Sequence, residues 1–373
     1  MLPIISLLTI LVIVGSAELI ARRMFTGSAP ASIDACMVLD DPSTGIRAVP
    51  NSVCWEKSFE SPLIEYKFNG CGHRAAMECN QKPLGTYRIV QAGSSYAIGK
   101  RVTREESFAA LLPIELSQKT GRRVELYNEG FMMWGTPRVV SLQVDRILAA
   151  RPDLILLVVS PWDIDNVSTL LPEREPPDLG LWGTLKTEIA SESPVQVAKD
   201  IWAWSRAAYM LQHFLYMSQS QYVKAYLMQG RPAEFLKAEP DARVQTNLQQ
   251  FDLYAARIED RAKAADTPFA VVFIPNRAEA AMISMGSWPP GYDPYKLGEE
   301  LRTIITRHGG TYIDILPDYR NITNPERGYY PMDGHPNVEG SEMISKMLAK
   351  ELTNGAIPAL LAGNRQAAIE QER

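Results

Sequence analysis

The chain has 373 residues, 46% of them apolar, which gives room for one large globular domain or two modest ones. Its net charge of −5 comes without a basic cluster, which argues against nucleic acid as a partner. Nothing repeats at a fixed period and no stretch is of low complexity, so a repeat architecture is excluded.

The N-terminus differs from the rest. Leu2 to Ala17 is uncharged and mostly apolar, and Glu18 and Arg22-Arg23 come next. A spanning helix needs about 17–25 residues, a length reached if the helix runs through Ala21 with Glu18 near an interface. The rival is a secretory signal with Gly15-Ser16-Ala17 as its small-residue cleavage site, although a basic leader is missing. Residues 1–24 are therefore predicted to be a single-pass transmembrane anchor or a signal segment. Arg22-Arg23, just after the apolar run, favour a cytoplasmic side for the main domain. The cysteines argue the opposite. Cys36, Cys54, Cys71 and Cys79 are even in number and cluster between the apolar segment and Tyr87, as expected for disulfides in an oxidising compartment. Three pairings remain open. A zinc reading of Cys71, His73 and Cys79 matches no common spacing. The prediction is a membrane-anchored protein whose main domain is periplasmic or extracellular.

Residues 25–84 read as a loop-rich juxtamembrane segment carrying the cysteines, with extended pieces such as Leu63–Phe68. A βα alternation starts at Tyr87. Arg88–Gln91 is strand-like, Glu106–Thr120 has helical spacing, and Val124–Tyr127 is a second strand. Pro137–Ala150 is a helix with Val140, Val144, Ile147 and Leu148 on one face. Leu154–Val159 is a continuous apolar run, as in a central strand covered on both sides. Residues 172–265 are largely helical and read as an insertion. Phe269–Ile274 is again a buried strand. Asp293–Arg307 is a helix with Asp293 as N-cap and Pro294 first, Thr311–Ile315 the last strand, and Asn337–Leu352 the closing helix. Residues 85–355 thus form one α/β domain, with a tail over 356–373. The expected fold is a doubly wound, mainly parallel five-stranded sheet with helices on both faces.

In such sheets ligands bind beyond the carboxyl ends of the strands. Gly93-Ser94-Ser95 comes directly after the first strand, and Asp333-Gly334-His335-Pro336-Asn337 precedes the last helix. A serine hydroxyl attacks well only when a base takes its proton and a third group orients that base. Ser95, His335 and Asp333 are the candidate nucleophile, base and orienting acid.

With these motifs the chain resembles the SGNH/GDSL hydrolase superfamily over about residues 85–352. Ser95 matches the family's nucleophile, and Ser94 stands where Gly-Asp-Ser has its Asp. Asn128 to Thr136 is similar to the second block, Ser160-Pro161-Trp162-Asp163 to the third, and Asp333 to Asn337 to the last. The resemblance implies a three-layer αβα sandwich and ester or acyl-transfer chemistry. Two departures concern the oxyanion hole. Met133 best matches the glycine whose backbone N–H donates, and the donating Asn is matched by Trp162 or by a register shifted by one. An indole N–H donates from a different geometry, and losing one such donor costs about 10²–10³ in turnover. Met133 and Trp162 are the oxyanion candidates, and Trp134, Asp163 and Asn166 the candidate substrate contacts. Residues 196–230 are rich in aromatics and methionine, including Trp202 and Trp204. They read as packing helices, or as a lid if they flank the site.

The motifs and the resemblance together lead to the expectation of a serine esterase, and the resemblance implies O-acyl groups of a polysaccharide or cell-envelope glycan as its substrate. Its partners are the ester substrate and, through the N-terminal helix, the membrane. No metal or cofactor is expected. The alternatives are an O-acyltransferase with the same site, and a non-catalytic glycan-binding or assembly protein on the same fold.

Overall fold

The computed structural model describes residues 2–24, 33–41, 45–79, 81–132, 135–168 and 205–361. In chain order the helices and strands are α1 (Leu2–Met24), β1 (Met37–Asp41), β2 (Gly45–Ala48), β3 (Val53–Lys57), β4 (Leu63–Lys67), β5 (Tyr87–Gly93), α2 (Ser95–Ile98), α3 (Phe108–Thr120), β6 (Val124–Asn128), α4 (Pro137–Ala149), β7 (Leu154–Val159), α5 (Pro161–Asp165), α6 (Arg206–Tyr216), α7 (Gln219–Leu227), α8 (Ala242–Ala264), β8 (Phe269–Phe273), α9 (Arg277–Met285), α10 (Lys296–His308), β9 (Thr311–Ile313) and α11 (Val338–Glu351). They fall into two units. One comprises Met1–Ser28 with Pro172–Tyr222, the other Ala29–Leu171 with Val223–Arg373.

In the smaller unit α1 packs against α6. A helix N-terminus has backbone N–H groups without intrahelical partners and a positive dipole end, so a carboxylate there is stabilising. Glu18 supplies it, accepting from Ser205 Oγ at 2.8 Å, Arg206 N–H at 3.1 Å and Ala207 N–H at 3.0 Å. Among the described residues no helix is long and apolar enough to cross a membrane. The transmembrane helix expected at residues 1–24 is therefore not found. Glu18, Arg22 and Arg23 lie in the last two turns of α1.

The larger unit is built on a five-stranded, fully parallel sheet in the order β6-β5-β7-β8-β9. β7, the apolar run Leu154–Val159, lies in the middle with every residue buried. The chain goes from β5 outward to β6, then returns past β5 to β7. Right-handed crossovers therefore put α3 on one face and α4 on the other. α11 joins α3, while α8 lies against α4 and α10, which completes the three layers. The predicted doubly wound αβα fold is the one observed, with the sheet wholly rather than mainly parallel. Its reversal point lies between β5 and β7, where clefts open beyond the strand ends.

Some elements differ from those predicted. Ala242–Ala264, assigned to the insertion by sequence, is the β7-to-β8 crossover helix. It buries Leu248, Phe251, Tyr254, Ala255, Ile258 and Ala262 against the core. α9 was not predicted, although Asn276 and Glu279 form a reciprocal capping box at its start. α10 begins at Lys296, because Asp293 Oδ1 accepts Tyr295 N–H at 2.9 Å in a turn instead of capping the helix. Of the expected tail, Ile357 and Leu360 are buried in the core, and residues 362–373 lie outside the described residues.

The cysteine segment forms two antiparallel hairpins, β1–β2 and β3–β4. Disulfides join Cys36 to Cys54 and Cys71 to Cys79. The second pairing sets aside the zinc alternative for Cys71 and Cys79, since a disulfide sulfur is no thiolate ligand. Ile46, Cys54, Ile64, Tyr66 and Phe68 make a small core of their own with Ile98 and Phe131. The hairpins are thereby seated against the turns beyond β5 and β6.

Candidate active site

β5 ends at Gly93 with φ 140°, where a Cβ would stand 2.5 Å from the Val158 carbonyl oxygen on β7. A side chain there would push the two strands apart, so glycine lets the chain turn sharply. Ser94 comes next, and Ser95 opens the short helix α2, which Gly99 ends at φ 76°. Ser95 is thus carried at the carboxyl end of β5, beside the reversal point of the sheet.

The other side is the loop before α11. Tyr330 N–H donates to the His335 carbonyl at 2.9 Å and Gly334 N–H to the Tyr330 carbonyl at 2.9 Å, closing a tight turn around Asp333. Asn337 then caps α11, its Oδ1 accepting Gly340 N–H at 3.0 Å. Tyr96 braces the turn from α2. Its hydroxyl donates to the Gly334 carbonyl at 3.0 Å, and its ring stands 5.2 Å from the His335 ring.

These elements bring Ser95, His335 and Asp333 into one hydrogen-bonded chain. His335 Nδ1 and Asp333 Oδ1 are 2.6 Å apart, and His335 Nε2 and Ser95 Oγ 2.7 Å. An ionised carboxylate only accepts, so the ring proton sits on Nδ1, and Nε2 is left to accept from the serine hydroxyl. Burial holds His335 below its ordinary pKa of 6.5, and the charges of Lys100 and Arg101 act in the same direction against Asp333. Asp333 lies well below the usual carboxylate range. Burial opposes its charge, but the His335 hydrogen bond and the Arg101 and Lys100 charges outweigh it. At neutral pH the arrangement is a neutral imidazole between a hydroxyl and a carboxylate. Chemically, it can take the proton of Ser95 as that oxygen attacks an electrophile.

The remaining candidates are placed differently. Met133 and Trp134 lie outside the described residues. Trp162 is in the first turn of α5, 38% exposed. Asp163 is buried and turned back on its own helix start, accepting Ser160 N–H at 2.8 Å and Ser160 Oγ–H at 2.7 Å. Burial, outweighing the Ser160 hydroxyl, pushes its carboxyl up to about 6. Asn166 donates through Nδ2 to the Trp162 carbonyl at 3.0 Å. Asp163 and Asn166 are thus occupied in shaping α5. Trp202 and Trp204, considered as lid residues, lie outside the described residues.

Sequence reasoning passed over several residues that the structure places here. Gly135 packs so closely on the Gly93–Ser94 peptide that a Cβ would overlap the Gly93 oxygen and stand 2.8 Å from the Ser94 nitrogen. The second-block loop therefore reaches the Ser95 turn through Gly135, and the signal was a glycine two residues beyond the matched position. Arg101 pairs with Asp333, Glu60 binds the backbone of that loop, and Arg277 donates to the Pro331 carbonyl at 2.7 Å from full burial. Lone charged residues in unmatched segments carry no such signal.

No protein-family model matches the chain, and no curated protein matches it. Solved structures do. The chain is similar to TesA, with 11% identity and a TM-score of 0.37 over 72% of this chain and 98% of the other. It is similar to a lipolytic protein of the G-D-S-L family from Desulfitobacterium hafniense DCB-2, with 12% identity and a TM-score of 0.38 over 71% and 99%. It is also similar to Axe2, an acetylxylan esterase from Geobacillus stearothermophilus, with 12% identity and a TM-score of 0.39 over 73% and 97%.

Proposed function

We propose that this chain is a serine esterase. Ser95 Oγ attacks the ester carbonyl while its proton passes to His335 Nε2, and Asp333 stabilises the imidazolium that forms. Collapse of the tetrahedral intermediate breaks the bond to the alcohol, which leaves with that proton and so yields an acyl-Ser95. Water then attacks the acyl carbon as His335 takes its proton, and the acid departs with Ser95 restored. The observation that carries this reading is the unbroken Asp333–His335–Ser95 chain at 2.6 and 2.7 Å.

The substrate we propose is an O-acylated polysaccharide or envelope glycan, in keeping with the SGNH-type motifs. The location we propose is outside the cytoplasm, because two disulfides persist best in an oxidising compartment. α1 exposes more than half of each of Ile10, Leu11, Val12, Ile13 and Val14, and attachment of this apolar helix to lipid belongs to the same proposal. Hydrolysis of p-nitrophenyl acetate by the full-length chain tests the chemistry, beside Ser95→Ala and His335→Ala. A rate that collapses in both variants supports it. A wild-type rate equal to buffer, or one untouched by the substitutions, rejects it and leaves glycan binding as the function to assay.

A further inference from the structure

Asp333 is held from outside its own loop. Glu60, in the turn between β3 and β4, accepts Met332 N–H and Asp333 N–H, each at 2.9 Å. Arg101, just beyond α2, pairs through Nη1 with Asp333 Oδ2, the oxygen that His335 does not use. Arg101 is itself tied at three further points. Its Nε lies 3.3 Å from Glu56 Oε1 on β3, its N–H donates to Tyr66 Oη on β4 at 2.8 Å, and its carbonyl accepts Tyr330 Oη–H at 2.7 Å. Tyr66 in turn donates to Glu56 Oε2 at 2.8 Å. Arg101 adopts φ 65°, a left-handed conformation that any residue with a Cβ disfavours. Such a conformation persists where its surroundings over-determine it, and it clusters at functional sites. Beneath the network, Cys54 on β3 pairs opposite Tyr66 on β4 and is bound to Cys36.

We propose that Glu56, Glu60, Tyr66 and Arg101 form a clamp through which the disulfide-bonded hairpin holds the Asp333 carboxylate in register with His335. Arg101 and Glu60 are then positioning residues of the reaction, an inference that rests on the esterase reading above. Two consecutive N–H groups on one carboxylate fix the backbone at residues 332 and 333. A cation on the second carboxylate oxygen fixes the rotation of the side chain. Both are needed, because Oδ1 orients the imidazole only while it stays in the plane that Nδ1 points to.

The clamp also sets charge. The charged and titratable groups around Asp333 and His335 are Tyr96 on α2, Lys100 and Arg101 beyond it, Glu106 before α3, Glu56 and Glu60 on the hairpin, and Tyr330 on the loop itself. Removing the Arg101 cation leaves the imidazolium next to Asp333 with less opposing charge, so His335 binds its proton more tightly.

The test is made on the full-length chain with Arg101→Met, Arg101→Lys and Glu60→Gln. Activity is measured with p-nitrophenyl acetate, folding by thermal melting, and His335 by the NMR titration of its ring. The expected result for Arg101→Met is a fall in kcat on the order of 10²-fold with KM unchanged, an acid limb of the rate profile moved to higher pH, and a matching upward shift of the His335 titration. Arg101→Lys recovers most of the rate and the titration. A folded Arg101→Met with wild-type kcat and an unmoved titration overturns the proposal. If Arg101→Met does not fold, Glu60→Gln decides, with a lowered kcat at unchanged KM supporting the clamp and a wild-type kcat overturning it. The titration needs no turnover. An inactive wild type whose His335 still responds to Arg101→Met keeps the clamp and removes the esterase reading.

Discussion

The two sides of the candidate site were built by different means and stand in different states. On one side, the β5–α2 turn and the loop before α11 meet in short hydrogen bonds, and His335 is kept neutral between Ser95 and Asp333. On the other, made by the loop before α4 and the start of α5, Trp162 is partly exposed and Asp163 and Asn166 bond within α5. In a serine esterase, activating the nucleophile and stabilising the oxyanion are separate tasks that separate elements can carry. A chain can therefore keep the first intact while the second is rebuilt. The second side meets the first at Gly135, which is pressed on the Ser94 peptide, and at Asp163, whose carboxyl the Ser94 side chain influences.

The largest effect that would sharpen this contrast is on the proton-transfer side. Asp333→Asn keeps the shape but favours the wrong imidazole tautomer, and kcat should fall by about 10⁴-fold. A fall of less than tenfold would mean that Asp333 does not orient the base. Next comes Gly135→Ala. Its Cβ has no room beside the Gly93 oxygen, so the Ser95 turn must shift, with an expected loss on the order of 10²-fold in kcat. Wild-type kinetics in that variant would show the two sides to be uncoupled. Replacing Cys36 and Cys54 by Ala removes a link of sequence separation 18 and should lower stability by about 3 kcal/mol, read as a reduced denaturant midpoint. No change would mean that the hairpins are held by their apolar core alone.

The smallest effect is the pH dependence. Burial holds His335 below its ordinary 6.5 in the folded chain, so the midpoint of the acid limb of kcat/KM should lie on the acid side of that value. The stability linkage has the same direction. Below 6.5 the unfolded chain binds the proton that the folded chain resists, so stability is lost as pH falls beneath that value. An acid limb above 6.5 would contradict the burial of a neutral imidazole.

The meeting of Ser95, His335 and Asp333 was legible in the sequence, for a physical reason. A serine after a β-strand and an Asp-x-His before a helix cap are local patterns, and a parallel sheet brings strand ends together whatever lies between. The fold was legible likewise, because β7 and β8 are apolar runs that only a doubly covered strand explains. α8 was misplaced because the long segment before it hid the alternation, although its buried residues keep the helical period. Arg101, Glu60 and Arg277 carried no local pattern at all. Their importance comes from partners more than fifty residues away, such as Met332 for Glu60 and Pro331 for Arg277. Such contacts exist only once the chain has folded.

The central claim is that Ser95 is a nucleophile activated by His335. Intact-mass analysis of the full-length chain after exposure to a fluorophosphonate serine probe tests it most directly. The account predicts one adduct on the wild type, located to Ser95, absent in Ser95→Ala and strongly slowed in His335→Ala. Labelling that persists in Ser95→Ala, or a wild type that takes up no probe while folded, would contradict it.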